Sequence, residues 1–160
     1  MTFQKQNDHN NIIHIIYYYI TNAVNLSNTH WTTMCIWLQE QKIEYYDHMV
    51  WTDARSKAKY KAYGQFYLKR ALEWLNYEAM SKKNMSLKDI YQGNDNWTLI
   101  DDCGENLPPQ TDGSGCGVFC IVDAGFLADN VPILHSLFDV NRVNYRKILG
   151  CDILRGELKI

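Results

Sequence analysis

A chain of 160 residues with 46% apolar residues has the size and composition of one globular domain with a core of its own. A net charge of −2 excludes the strong global attraction to nucleic acid or to an acidic membrane that a basic domain has, and no apolar run reaches the roughly eighteen residues of a membrane span. Five cysteines, an odd number without framework spacing, point to a reducing compartment, nucleus or cytoplasm.

The chain reads as a single catalytic-type domain over 1–160. Met1 to Asn11 is a loose polar lead-in without the apolar stretch of a signal peptide. Ile12 to Ile20, β-branched and aromatic, predicts a strand buried on both faces, and Thr21 to Thr29 a polar loop. Trp31 to Leu38 and Ile43 to Asp47 predict two strands joined by a turn at Gln39 to Lys42, short enough to make a hairpin. Asp53 is positioned to cap a long helix from Ala54 to about Met80, with Ala58, Ala62, Phe66, Leu68, Ala71, Leu72 and Leu75 on its buried side. From Arg55 to Arg70 that helix carries six cations and no acid, which is a solvated face or a docking patch for an acidic protein. Ser81 to Asn96 reads as a polar linker with a helical turn at Leu87 to Tyr91. Trp97 to Asp101 reads as a fourth strand, and Cys103 to Gly115 as a loop stiffened by Pro108-Pro109. A second firm helix runs from Cys116 to about Ala128, and a last one from Asn141 to Leu154.

The chemistry concentrates at Gln110-Thr111-Asp112-Gly113-Ser114-Gly115-Cys116-Gly117. A glycine-broken loop runs into a cysteine, and Ser114 as N-cap puts Cys116 in the first helical turn. Unpaired N–H groups and the positive end of the helix dipole there favour the thiolate. Gly113, Gly115 and Gly117 let backbone and substrate approach closely. A cysteine nucleophile needs a base and a group that orients the base. His30 opens one strand and Asp47 closes the next, so an antiparallel hairpin brings both to one end of the sheet. Gln110 is placed to donate its amide to an oxyanion beside the Cys116 N–H.

The order His30-Trp31, Asp47, Gln110 and Cys116-Gly117 resembles the cysteine proteases that process SUMO and other ubiquitin-like modifiers, family C48 of clan CE, related to the adenovirus endopeptidase. The likeness rests on Asn25 to Trp31, Ile43 to Asp47 and Pro109 to Cys120, and extends over about Ile12 to Leu154. It implies a papain-like α+β fold, with a mixed sheet of four to five strands flanked by helices. It implies His30 as base and then acid, Asp47 as its orienter, Cys116 as nucleophile and Gln110 in the oxyanion hole. Trp31 would line the tunnel that accepts a Gly-Gly tail, with Gly115 and Gly117 against the substrate. The implied partners are SUMO, NEDD8 or ubiquitin and their conjugates, with no nucleic acid, membrane, metal or cofactor.

Three positions depart from the family pattern. Gly115 stands where an acidic residue usually precedes the nucleophile. Nothing before Ile12 matches the family's N-terminal helical segment. His48 follows Asp47 where a serine is common, and no role attaches to it. Asp102-Cys103-Gly104 mimics the family's nucleophile tripeptide, but the prolines that follow cannot open a helix promptly, so Cys103 is the lesser candidate. Cys35, Cys120 and Cys151 read as core thiols, and His14 as a satisfied core histidine. His9 and His135 have no evident partner. The lack of paired cysteine sets argues against zinc. Competing readings keep the triad for a viral-type endopeptidase or an effector acetyltransferase, or keep the fold as a non-catalytic binding module.

Overall fold

The computed structural model describes residues 19–49, 53–101, 107–133 and 145–156. Strands β1 (Tyr19–Leu26), β2 (His30–Trp37) and β3 (Lys42–Tyr46) pair antiparallel in succession, and β4 (Thr98–Ile100) joins β3 in parallel, giving the order β1-β2-β3-β4. The helices are α1 (Ala54–Lys83), α2 (Leu87–Ile90), α3 (Cys116–Ala128) and α4 (Tyr145–Arg155). The expected α+β architecture is present. The strand expected from Ile12 lies outside the described residues except for Tyr19 and Ile20, which open β1. Among the described residues no helix is long and apolar enough to cross a membrane.

Alternation along β2 builds a core on each side of the sheet. Met34 and Ile36 pack with Val24, Leu26, Ile43 and Tyr45, and with Leu68, Ala71 and Leu75 of α1. Cys35 faces the other way, among Tyr46, Leu107, Val122, Leu127 and Ile133, so α3 covers the second face.

Two expectations are corrected here. The segment read as a loop from Thr21 is strand as far as Leu26, which pairs with His30. Among the described residues it is an edge strand, so Asn22 stays exposed and Asn25 half-buried, while Val24 and Leu26 supply the alternation. The true turn is Ser27-Asn28-Thr29, with Ser27 and Asn28 at positive φ (54° and 59°) and Thr29 N–H closed onto Leu26 O at 3.1 Å. The buried side of α1 is also displaced. Leu68, Ala71, Leu72 and Leu75 face the core as expected, but Ala58, Ala62 and Phe66 are exposed. The core stripe instead passes through Gly64 and Ala79, with Tyr60, Tyr63 and Tyr67 packed along it. Gly64 lies on the Tyr45 ring, where a Cβ would sit 3.0 Å from the nearest ring carbon, so the helix closes onto β3 at a residue with no side chain to signal it.

The helix ends follow elementary capping. Asp53 accepts the Ser56 N–H at 2.8 Å as expected, and Asn84, left-handed at φ 53°, returns its N–H to Met80 O at 3.0 Å. Ser86 and Asp89 form a capping box on α2. Leu149 is the buried residue of α4, and Cys151, two positions on and hence turned away, is exposed rather than in the core.

Candidate active site

His30 begins β2 and Asp47 directly follows β3. The antiparallel register, with Thr33 opposite Tyr46, brings them out at the same end of the sheet. His30 Nε2 lies 2.7 Å from Asp47 Oδ1, with both side chains largely buried. The same Asp47 oxygen accepts the Met49 N–H at 3.0 Å, so the carboxylate is held from two directions. Cys116 lies close enough to the ring to favour its charged form. Burial alone would lower the basicity of His30. The hydrogen bond and charge of Asp47, with Cys116 adding to them, outweigh burial and hold the imidazole above its ordinary 6.5. From α1, the Tyr60 ring packs edge-on at 6.1 Å between centroids.

Cys116 is the first residue of α3 and is half-buried, with a free thiol. The other thiols differ. Burial is the first cause that pushes Cys35 and Cys120 up to about 12, so both stay protonated and inert at neutral pH. Cys103 lies outside the described residues, as do His9, His14 and His135. No group of described residues could hold a metal ion.

The loop into α3 departs from expectation in its capping. Gly115, not Ser114, is the N-cap, and no side chain caps the helix. Ser114 instead donates its N–H to Asp112 Oδ1 at 2.9 Å, while its hydroxyl oxygen accepts from Arg146 of α4 at 3.2 Å. Arg146 also approaches the Asp112 carboxylate at 3.7 Å. A Cβ at Gly115 would meet Asp112 Oδ1 at 2.7 Å, so any larger residue there displaces that carboxylate. The acidic group that the family carries just before its nucleophile is thus absent at Gly115, and the Asp112 carboxylate fills the adjoining space. Among the described residues a Cβ at Gly117 would meet nothing within 4 Å.

Gln110 is 3% exposed and bridges to Met49, its N–H bonded to His48 O at 2.7 Å. Its side-chain amide donates to Asp112 O at 2.6 Å, and among the described residues Oε1 has no partner. A buried, half-satisfied amide beside the nucleophile loop is the kind of local deficit found at functional sites. Trp31 is 43% exposed beside His30, a large indole face left to solvent.

Four side chains were missed by sequence reasoning. His48 Nδ1 bonds Pro108 O at 2.8 Å, and its Nε2 lies 2.9 Å from both Asp123 oxygens. Thr33 donates to Asp123 Oδ2 at 2.7 Å, and Arg146 ties α4 to the nucleophile loop. One signal was visible: Asp123 is the only charge inside the apolar run of α3, and a buried acid demands a partner.

With this geometry in place, the sequence matches the Ulp1 protease family, C-terminal catalytic domain, over residues 3–153. The chain belongs to the Ulp1 protease family. That family is the C48 cysteine-protease family of clan CE. Among solved structures, the SUMO protease Ulp1 with its catalytic cysteine oxidised to a sulfenic acid superposes with a TM-score of 0.63 at 20% identity, covering 89% of this chain and 55% of that one. The C-terminal Ulp1 protease domain in complex with Smt3, the yeast orthologue of SUMO, superposes at 0.57 with 19% identity, covering 89% and 54%. At these identities the likeness is one of fold, and the chain spans just over half the length of these Ulp1 chains. No curated protein matches in sequence.

Proposed function

We propose that this domain hydrolyses the bond after a Gly-Gly-type tail of a ubiquitin-like modifier, in SUMO-like deconjugation or precursor processing, with His30, Asp47 and Cys116 as its triad. The observation that carries the reading is the His30 imidazole on the Asp47 carboxylate at 2.7 Å, with the cysteine that opens α3 near enough to favour its charged form. An imidazole whose charged form Asp47 favours can take the thiol proton as the sulfur attacks. Cys116 Sγ attacks the scissile carbonyl carbon. The oxyanion is met by the Cys116 N–H, at a helix start that no side chain caps, and by the second N–H of Gln110. His30 protonates the leaving amine, which in an isopeptide is a lysine side chain, and a thioester remains. Water, deprotonated by His30, attacks the thioester and restores the thiol. The exposed indole of Trp31 is suited to wall a slot that admits glycine and rejects a Cβ, and the open space at Gly117 leaves room for the tail. The complex of a fold relative with Smt3 supports a modifier as substrate. A thiolate enzyme of this kind works in a reducing compartment, nucleus or cytoplasm.

SUMO, NEDD8 and ubiquitin carrying a C-terminal electrophile, with acetyl-CoA as a separate arm, test the reading by mass shift on the protein. We expect one modifier to add its mass to Cys116, Cys116→Ala to take none, and the same variant to show no release of a C-terminal fluorophore. Acetylation of Cys116 with no modifier capture, or full turnover by Cys116→Ala, rules the scheme out.

A further inference from the structure

His48 directly follows Asp47, yet its ring turns away from the triad into a polar cluster that the proposed reaction does not use. The cluster is sealed: His48 is 6% exposed, Thr33 1% and Asp123 0%. Pro108 O can only accept, so Nδ1 carries a proton and donates it at 2.8 Å. Nε2 sits 2.9 Å from both oxygens of Asp123, and one of those oxygens takes the Thr33 hydroxyl at 2.7 Å. Phe119, one turn before Asp123 on α3, stacks on the imidazole at 4.4 Å between centroids. Burying such a pair gains little stability, because apolar residues of the same volume commonly do as well or better. Its use lies in what it connects.

Each partner belongs to an element that carries a residue of the proposed site. Thr33 shares β2 with His30, Asp123 shares α3 with Cys116, Pro108 shares the loop with Gln110, and His48 adjoins Asp47. His48 grips the Gln110 segment twice, by its side chain at Pro108 O and by its own carbonyl at the Gln110 N–H, 2.7 Å away. Asp47, by contrast, is held by the Met49 N–H and by His30, independently of the His48 ring. Loss of the ring therefore acts on the oxyanion side and spares the base.

We infer that His48, braced by Asp123 and Thr33, is a positioning residue that sets the distance between the Gln110 amide and the Cys116 end of α3. This rests on the protease reading above. An oxyanion donor displaced by about 1 Å loses up to about a hundredfold in rate. His48→Gln keeps a donor for one acceptor and not for both. Its kcat falls by about tenfold to a hundredfold, with KM within about twofold of wild type. Alkylation of Cys116 by iodoacetamide needs the thiolate but no oxyanion hole, and stays within about twofold. Asp123→Asn offers Nε2 an N–H and Thr33 an oxygen, and retains kcat within about threefold.

Wild-type kcat in folded His48→Gln overturns the inference. So does alkylation that falls in step with turnover, or a loss in Asp123→Asn as deep as in His48→Gln. If His48→Gln lacks a cooperative unfolding transition, Thr33→Val removes only the hydroxyl that braces Asp123. A kcat loss of about twofold to fivefold at unchanged alkylation supports the inference, and wild-type kcat overturns it. If the wild-type protein turns over no modifier, the protease reading fails by itself. The positioning claim is then read from hydrogen exchange at the Gln110 N–H, which accelerates by about tenfold or more in His48→Gln if the ring holds this loop. Unchanged exchange overturns it.

Discussion

His30 is the residue at which opposed forces decide the chemistry. Burial disfavours the imidazolium, while Asp47, 2.7 Å away, and then Cys116 favour it and prevail. Asp47→Asn removes the first of these supports and leaves burial in place. The His30 ring, followed by its Hε1 signal in NMR titrations, should then titrate below 6.5, whereas in the wild-type protein it titrates above 6.5. The same shift has a consequence for stability. A folded-state value above the unfolded one contributes stability that is fully present below 6.5 and is lost as pH rises through the raised value. Urea unfolding across a pH series should therefore show the gap between wild type and Asp47→Asn widest on the acid side of 6.5 and narrowing as pH rises. A gap that widens with pH would mean that Asp47 does not support the charged ring.

At the scale of the element, α3 depends on how the chain enters it. Gly115 lies under the Asp112 carboxylate, and a Cβ there pushes Oδ1 off the Ser114 N–H and away from Arg146. Because Asp112 is half exposed, the carboxylate swings aside and the cost is the lost bracing of the nucleophile loop. Gly115→Ala should lower turnover by roughly threefold to tenfold. The double variant Gly115→Ala, Asp112→Ala should be no slower than Asp112→Ala alone, since the clash is gone. Additive losses in that cycle would remove Asp112 as the cause. Elements like α3 and the β2–β3 hairpin were legible in the sequence because their signals are local: a glycine loop into an apolar run, and two β-branched stretches a turn apart. The order of His30, Asp47, Gln110 and Cys116 was legible instead from its likeness to a family pattern. What escaped was set by neighbours. An edge strand tolerates the asparagines that made β1 look like a loop. Gly64 and the tyrosines of α1 face the core without an aliphatic signature. His48 and Asp123 are paired across 75 positions, and only the fold brings them together.

Among the described residues two cores hang on one small sheet, and the proposed site draws on the strand ends, the loop at Gln110 and α3. The core between the sheet and α1, containing Leu68, is separate from the cluster under α3. Leu68 is 1% exposed and packs into the first of these. Leu68→Ala should cost about 2 to 5 kcal/mol, through lost burial and the cavity left behind. Against the roughly 5 to 15 kcal/mol of a typical domain, the variant stays folded at low temperature but melts well below wild type. The strands are shared by both cores, so unfolding should remain one cooperative transition, with far-UV circular dichroism and activity lost together on heating. At 15 °C, where the variant is folded, kcat/KM should lie within about twofold of wild type, because α1 contributes no reacting group. A variant with an unchanged melting temperature and a slowed reaction at 15 °C would show instead that α1 reaches the site through Tyr60, whose ring stands against His30.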